Sequence, residues 1–417
     1  MKIHAIYLKM FFTVSIFSLL MANFSSCSNE SYSPSISEIT SATTSVEMAR
    51  KMTIGWNLGN TLDAHGDWTD DEGVFHSDFK PYEDGSDTET GWKMPKTTEA
   101  MISDVKAKGF KTIRIPVSWH NHIKDANYTI DPDWMARVKE VVDWAYNKDM
   151  YVIINIHHDN LSQSQLEDST NYGFALSYDK AIQNKSKTYI SKVWTQIATT
   201  FASYDEKLVF EVLNEPRDIN GEVTGNEWWT TDKNIVAVIT EYEQAGIDAI
   251  RKVDGNKNRF LMVPGYAAAG SANTILELYT MPKDSATDRL ILSTHAYSPN
   301  DFALKEGGTD VFDAKGKGDL DYIFGFLKSD YIDKGIGVVM GEASATDRNN
   351  TAARIEWASY YFTKAKEAGI PIILWDNMVT VNNGGTLGSG ENHGYYDRNN
   401  RSWFYPEIIQ AMMDATY

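Results

Sequence analysis

Eight short apolar runs between residues 53 and 376 constrain this chain more than any other feature. They are 53–60 (TIGWNLGN), 110–117 (FKTIRIPV), 151–157 (YVIINIH), 208–214 (LVFEVLN), 259–265 (RFLMVPG), 290–296 (LILSTHA), 336–342 (IGVVMGE) and 370–376 (IPIILWD). Several are continuous Val/Ile/Leu runs, the pattern of parallel strands covered on both faces. The segments between them carry helical spacing. In 131–149, Trp134, Val138, Val141, Val142 and Ala145 share one face, and Asp131-Pro132 supplies a cap and a first turn. Residues 97–109 and 352–369 end at Gly109 and Gly369, and further helices fit 184–204, 233–254, 319–333 and 404–415. A strand–helix unit repeated in this way predicts an α/β protein, a single (β/α)₈ TIM barrel. A doubly wound sheet needs a glycine-rich phosphate turn after an early strand. GWNLGN lacks that spacing, and the sequence holds no P-loop.

The first 26 residues read as a leader. Lys2 and Lys9 precede an apolar stretch from Met10 to Phe24 that is too short for a comfortable membrane span. Small residues then lead into Cys27, as in a bacterial lipoprotein signal, so Cys27 is the expected lipidation site; ordinary signal cleavage is the alternative. Residues 27–45 are Ser/Thr-rich and read as a tether, and 46–417 as the catalytic domain. Cys27 is the only cysteine, which rules out an intrachain disulfide. The net charge of −18 repels phosphate backbones and excludes nucleic acid as a natural partner. With 12 Trp and 22 Tyr, the acidic chain suits neutral, flat-faced ligands such as sugars.

Polar residues collect where a barrel builds its active site, at the C-terminal ends of the strands. They are Asn60, Arg114, His157 and His158, Asn214 and Glu215, His295 and Tyr297, Glu342 and Trp375. Strands end at polar residues in any case, but stop signals alone explain a set this large poorly. Glu215 follows the fourth strand and Glu342 ends the seventh, nearly opposite across a barrel mouth. Two carboxylates facing across a cleft are what glycoside hydrolysis needs, one protonated to serve the leaving oxygen and one ionised. Arg114 and the Tyr297 hydroxyl are the expected partners of the ionised one. A structural Glu–Arg ion pair is the competing reading of either glutamate alone.

The blocks GWNLGNTLDA, RIPVSW, VIINIHHD, EVLNEPR, HAY, GEAS and ILWDN, in this order, resemble glycoside hydrolase family 5. With ETGWKMPKTT they are similar to its endoglucanase and xyloglucanase subgroup, although Gly91, Lys93 and Met94 around Trp92 depart from the usual pattern. The resemblance implies a retaining barrel enzyme with Glu215 as general acid/base and Glu342 as nucleophile. It implies that Asn214 binds the sugar 2-hydroxyl, that Arg114 and Tyr297 hold Glu342, and that His157 and His295 bind hydroxyls and shape the proton environment. Trp375 becomes the stacking floor. Asn60, Asp63, His158 and Trp92 are further candidates for substrate binding, each with a packing or loop role as its alternative. Trp68 and Trp119 are weaker stacking candidates. Trp228-Trp229, after the fourth strand, suits the leaving-group side.

Neighbouring His157 and His158 on one strand should point to opposite faces, and the chain has no HExxH motif or cysteine cluster. Neither metal nor cofactor is therefore expected. The expected function is endo-cleavage of a β-1,4-glucan backbone such as cellulose, xyloglucan or mixed-linkage glucan. A β-mannanase and a non-cleaving glucan-binding barrel are the alternatives. The expected partner is the β-glucan polysaccharide. The expected form is a monomer that meets membrane only through its lipid, at the outer membrane or cell surface.

Overall fold

The structure is a computed structural model that describes residues 43–69, 75–78 and 88–417. The leader, Cys27 and most of the tether lie outside the described residues. Helix α1 (Ser45–Met52) opens the body. Thr44 caps it in a capping box: its hydroxyl accepts the Glu47 N–H and the Glu47 carboxylate accepts the Thr44 N–H. Ser45, read from sequence as the last tether residue, is thus the first residue of a helix, and it is buried.

All eight apolar runs become barrel strands: β1 (Ile54–Asn57), β2 (Thr112–Ile115), β3 (Tyr151–Asn155), β4 (Leu208–Glu211), β5 (Leu261–Ala269), β6 (Leu290–His295), β7 (Gly337–Ala343) and β8 (Ile372–Leu374). They pair in parallel in the order β1-β8-β7-β6-β5-β4-β3-β2, and β2 closes on β1. Closure leaves no free sheet edge. The outer ring holds α2 (Glu99–Lys108), α3 (Pro132–Tyr146), α4 (Lys180–Thr200), α5 (Lys233–Lys252), α6 (Ala314–Asp330), α7 (Thr351–Ala368) and α8 (Pro406–Thr416). Helices read from sequence therefore sit where expected. The exception to the repeat is the crossover after β5, which has one helical turn, Asn273–Leu276. Leu276 and Tyr279 cover that face instead; both are buried. Two short hairpins that the sequence pattern does not announce follow β1 (Gly66–Thr69 with Phe75–Asp78) and β8 (Tyr396–Asp397 with Ser402–Trp403).

The N-terminal end of the barrel is sealed by α1. Met48, Ala49 and Met52 are fully buried against Ile153, Val209, Phe260, Met262, Ile291, Val339 and Ile373. Burying each methionine contributes about 1.5–3 kcal/mol. The close approach needs Gly337, because a Cβ there would lie 2.3 Å from the Ser45 carbonyl oxygen. The Ser45 hydroxyl accepts the Gly337 N–H at 3.0 Å, so the seal is also hydrogen-bonded to β7.

Candidate active site

At the opposite end the interior becomes polar. Arg114 points inward from β2 and has no exposed surface. Its guanidinium donates in four directions: Nε to Glu211 at 2.8 Å, Nη1 to Asn57 at 3.0 Å and to Glu342 at 2.7 Å, and Nη2 to Asn214 at 2.6 Å. Burial alone would lower the Arg114 pKa, but the charges of Glu211 and Glu342 and their hydrogen bonds reverse this and raise it. Glu211 also accepts from Asn155 at 2.8 Å and Ser293 at 2.6 Å. A single fixed cation thus rests on Glu211 below and orients Glu342 and Asn214 above.

Glu342 accepts Arg114 at Oε1 and the Tyr297 hydroxyl at Oε2, both at 2.7 Å. Acceptance at both oxygens is the bonding pattern of a carboxylate anion. Burial, together with the Glu342 charge, raises the Tyr297 pKa well above its ordinary value, so the phenol stays a donor.

Glu215 stands across the cleft and pairs with His295, Nδ1 to Oε1 at 2.7 Å. The same nitrogen lies 3.7 Å from Glu342 Oε2. One oxygen of each glutamate and the His295 nitrogen all fall within 4.8 Å of one another. Burial pushes the Glu215 carboxyl up, but the hydrogen bond and charge of His295, with Arg217 and Arg114 behind, bring it below the ordinary value. For His295 burial works downward, yet the Glu342 charge and the Glu215 contact leave it raised. The contact therefore favours the charged form of both partners, and the two titrate as one pair.

His157 is buried, and Asn155 fixes its tautomer. The Asn155 side-chain oxygen accepts the Val117 N–H, so its nitrogen is the donor toward His157 Nδ1 at 3.0 Å. Nε2 then carries the ring proton and serves as a donor. Burial holds both His157 and His158 well below their ordinary pKa, in the neutral form. The expectation that these two rings diverge is wrong. Strand β3 ends at Asn155, so strand alternation no longer applies, and both Nε2 atoms lie 4.0 Å from Asp63 Oδ2. Asp63, His157 and His158 have the composition of a metal site, but a protonated His157 Nε2 is a poor ligand there.

The cleft has a volume of about 620 Å³ and is lined by both glutamates, His157, His158, Asn214, His295, Tyr297 and Trp375. The Trp375 ring lies parallel to that of His157, at an interplanar angle of 2°. Trp228 borders the cleft beside Glu215, as read from sequence; it is 55% exposed and the Arg217 guanidinium stacks on it at 4.0 Å.

Other candidates sit elsewhere. Asp63 has no exposed surface; its carboxylate accepts the N–H groups of Asn60 and Thr61 and shapes the loop after β1. Burial pushes its carboxyl up to about 7. Asn60 turns that loop with a φ of 58° and does not line the cleft. Trp92 packs on His65 and His158 and donates its indole N–H to the His65 carbonyl, one layer behind the cleft lining. Trp119 is fully buried core, and the Trp68 side chain lies outside the described residues. Sequence reasoning missed Glu211, Asn57, Asn155, Arg217 and Glu391. The available signal for Glu211 was a lone charge inside the apolar run LVFEV, and for Asn57 an amide inside GWNL.

Residues 63–380 match the family described as Cellulase (glycosyl hydrolase family 5). The chain is 37% identical to Endoglucanase 1 of Ruminococcus albus over 372 residues, 88% of this chain and 80% of that protein. It superposes on a broad-specificity endoglucanase from Ruminococcus flavefaciens with a TM-score of 0.76 and 37% identity, covering 90% of this chain and 99% of the other. A Caldicellulosiruptor lichenase mutant in complex with cellotetraose gives 0.75 and 38%, covering 90% and 96%. The facing glutamates, the buried arginine beneath them and this likeness along the whole barrel agree: the chain belongs to glycosyl hydrolase family 5, the cellulase family.

Proposed function

We propose that the protein is a retaining, endo-acting glycoside hydrolase that cleaves β-1,4-glucan backbones, with xyloglucan, cellulose-type and mixed-linkage glucans as its substrate class. The observation that carries this is the spacing of Glu215 and Glu342. Their nearest oxygens lie within 4.8 Å, which fits a retaining pair at about 5–5.5 Å better than an inverting pair at about 6.5–9.5 Å.

The residues divide the chemistry. Trp375 offers an aromatic plane to a sugar C–H face, His157 Nε2 donates to a hydroxyl, and Asn214, held by Arg114, hydrogen-bonds the sugar 2-hydroxyl. A proton moving from His295 Nδ1 to Glu215 Oε1 makes Glu215 the acid. Glu342 attacks the anomeric carbon, the glycosidic bond breaks, and the leaving oxygen takes the Glu215 proton. Ester formation removes the Glu342 charge, which had raised His295. Glu215 then accepts a proton from water as that water cleaves the ester. Trp228 and Arg217 border the leaving-group side.

Endo-cleavage of glucans is supported by the endoglucanase and lichenase names of the relatives. The molecule acts as a monomer, held at the outer membrane or cell surface through a lipid on Cys27. Activity measured side by side on xyloglucan, carboxymethyl-cellulose, mixed-linkage glucan and mannan tests the substrate class, and NMR of the first product tests retention. Glucan should lose viscosity early and yield the β-anomer first. Faster cleavage of mannan makes it a mannanase, and binding without new reducing ends makes it a binding barrel. Cys27→Ala should move the protein out of the membrane fraction; persistence there removes the anchor.

A further inference from the structure

The catalytic cleft contains a third carboxylate that the chemistry above does not use. Glu391 lines it beside Tyr297, Asn300 and Leu304, in the long loop after β8. Its backbone is held on several sides. The Glu391 carbonyl accepts the Asn377 side chain at 2.8 Å, and the Glu391 N–H donates to the Ser389 hydroxyl at 3.1 Å. Neighbouring Asn392 donates through its side chain to the Asp347 carbonyl at 3.1 Å and the Thr386 carbonyl at 2.9 Å. Gly390 seats the loop on the one after β6, since a Cβ there would lie 1.8 Å from the Leu304 carbonyl oxygen.

The Glu391 carboxylate itself has no hydrogen bond or ion pair among the described residues. Its side chain is exposed at the edge of the cleft. Burial, then the charges of Glu342 and Glu215, push its carboxyl up. The loop thus sets a hydrated carboxylate without a protein partner among the described residues in a cleft that holds two other acids. A glucan chain presents hydroxyl donors at every ring that can replace this water.

We propose that Glu391 is a substrate-contacting, specificity-determining residue: its carboxylate accepts hydroxyl hydrogen bonds from a neutral sugar in the cleft, and its charge turns away sugars that carry carboxylates. This rests on the glucan reading above for the identity of the sugar.

The test uses the full chain in a Glu342→Gln background, which blocks turnover, with and without Glu391→Ala or Glu391→Gln. Calorimetric titration reads affinity for neutral cellotetraose and for carboxymethylated cello-oligosaccharides. Glu391→Ala should weaken cellotetraose about tenfold, the effect of losing one hydrogen bond to a charged group. Glu391→Gln keeps an acceptor and should retain neutral affinity within about threefold, while the carboxymethylated ligand gains about threefold or more at low salt. That gain should vanish near 1 M salt, where the screening length falls to about 3 Å. Unchanged cellotetraose affinity in Glu391→Ala, with an unchanged melting temperature, overturns the contact. An unchanged affinity ratio in Glu391→Gln overturns the selection. Failure of the glucanase reading is seen separately, as absence of cleavage by the unmutated protein, since these titrations need no turnover.

Discussion

The two ends of the barrel are built from opposite materials. At the N-terminal end, Met48, Ala49 and Met52 of α1 seal a layer of apolar side chains, where fit depends on volume. At the C-terminal end, fully buried Arg114 and Glu211 support Glu342 and Asn214, while His295 holds Glu215. The same strands pass through both layers. The contrast shows that the sealed end supplies stability, which lets the open end hold like charges close together and unpaired acceptors facing solvent. Such arrangements are costly to a fold and useful to a reaction.

The largest expected effect breaks the open end alone. Glu342→Ala should lower kcat by at least about 10⁴-fold, since the covalent route is removed. Its melting temperature should hold or rise, because a carboxylate near two others is gone. Azide should restore part of the rate and give product of inverted configuration. A large drop in melting temperature in place of this would mean that the open end also holds the fold together.

Arg114→Met tests the one residue that couples reactivity to stability. It leaves Glu211 buried without its cation, which should cost about 3–5 kcal/mol in urea unfolding, along with most of the activity. Glu211→Gln should cost less stability and lower kcat more than it raises KM, since Arg114 loses its lower anchor. If Glu211→Gln leaves kcat untouched, Glu342 is positioned by Tyr297 and by Arg114 held on Asn57, without help from below.

At the sealed end, Met52→Ala should cost about 2–5 kcal/mol of unfolding free energy by opening a cavity. Its kcat and KM should match the unmutated protein at temperatures where both are folded. A change in kcat would show that the two layers are mechanically coupled along the strands.

The smallest effect concerns a carboxyl buried in neither layer. Glu243 on α5 has no exposed surface, and the Tyr279 hydroxyl donates to it at 2.5 Å. Burial raises its pKa well above the ordinary value. A raised folded pKa means that the stabilisation is fully present below the unfolded value of about 4.3 and is lost as pH rises toward the folded one. Glu243→Gln should therefore melt about as the unmutated protein does near pH 4 and gain roughly 1–2 kcal/mol at pH 8. Equal melting temperatures at both pH values would show the carboxylate ionised and compensated. Unlike Glu211, this acid has no cation among the described residues, and burial favours its neutral form.

Much of the barrel was legible because its information is local. Each apolar run, each cap such as Asp131-Pro132 and each terminal glycine acts within a few residues, and those strands and helices formed where the pattern put them. Glu215 and Glu342 were legible for a related reason: a charge at the end of a buried strand carries a desolvation cost that a partner or a ligand must offset. Residues whose role depends on distant neighbours were misread or missed. Asp63 looks like a cleft residue in sequence, but the loop after β1 folds its carboxylate inward onto its own backbone. His157 and His158 look divergent until the strand is seen to stop two residues earlier. Glu391, nearly fifty residues beyond Glu342 in the chain, carries no strand-end signature at all.

The sequence by itself determined the eight strands, the seven long helices around them and the kinds of side chain at the strand ends, because periodicity and capping are properties of contiguous residues. Packing in three dimensions is what brings Arg114 from β2 to Glu211 from β4 and Glu342 from β7, stands His295 between the two glutamates, and turns Glu391 into the cleft with no partner among the described residues. Those distances follow from closure of β2 on β1 and from how each loop settles on its neighbour, a many-body packing outcome that no window of sequence contains.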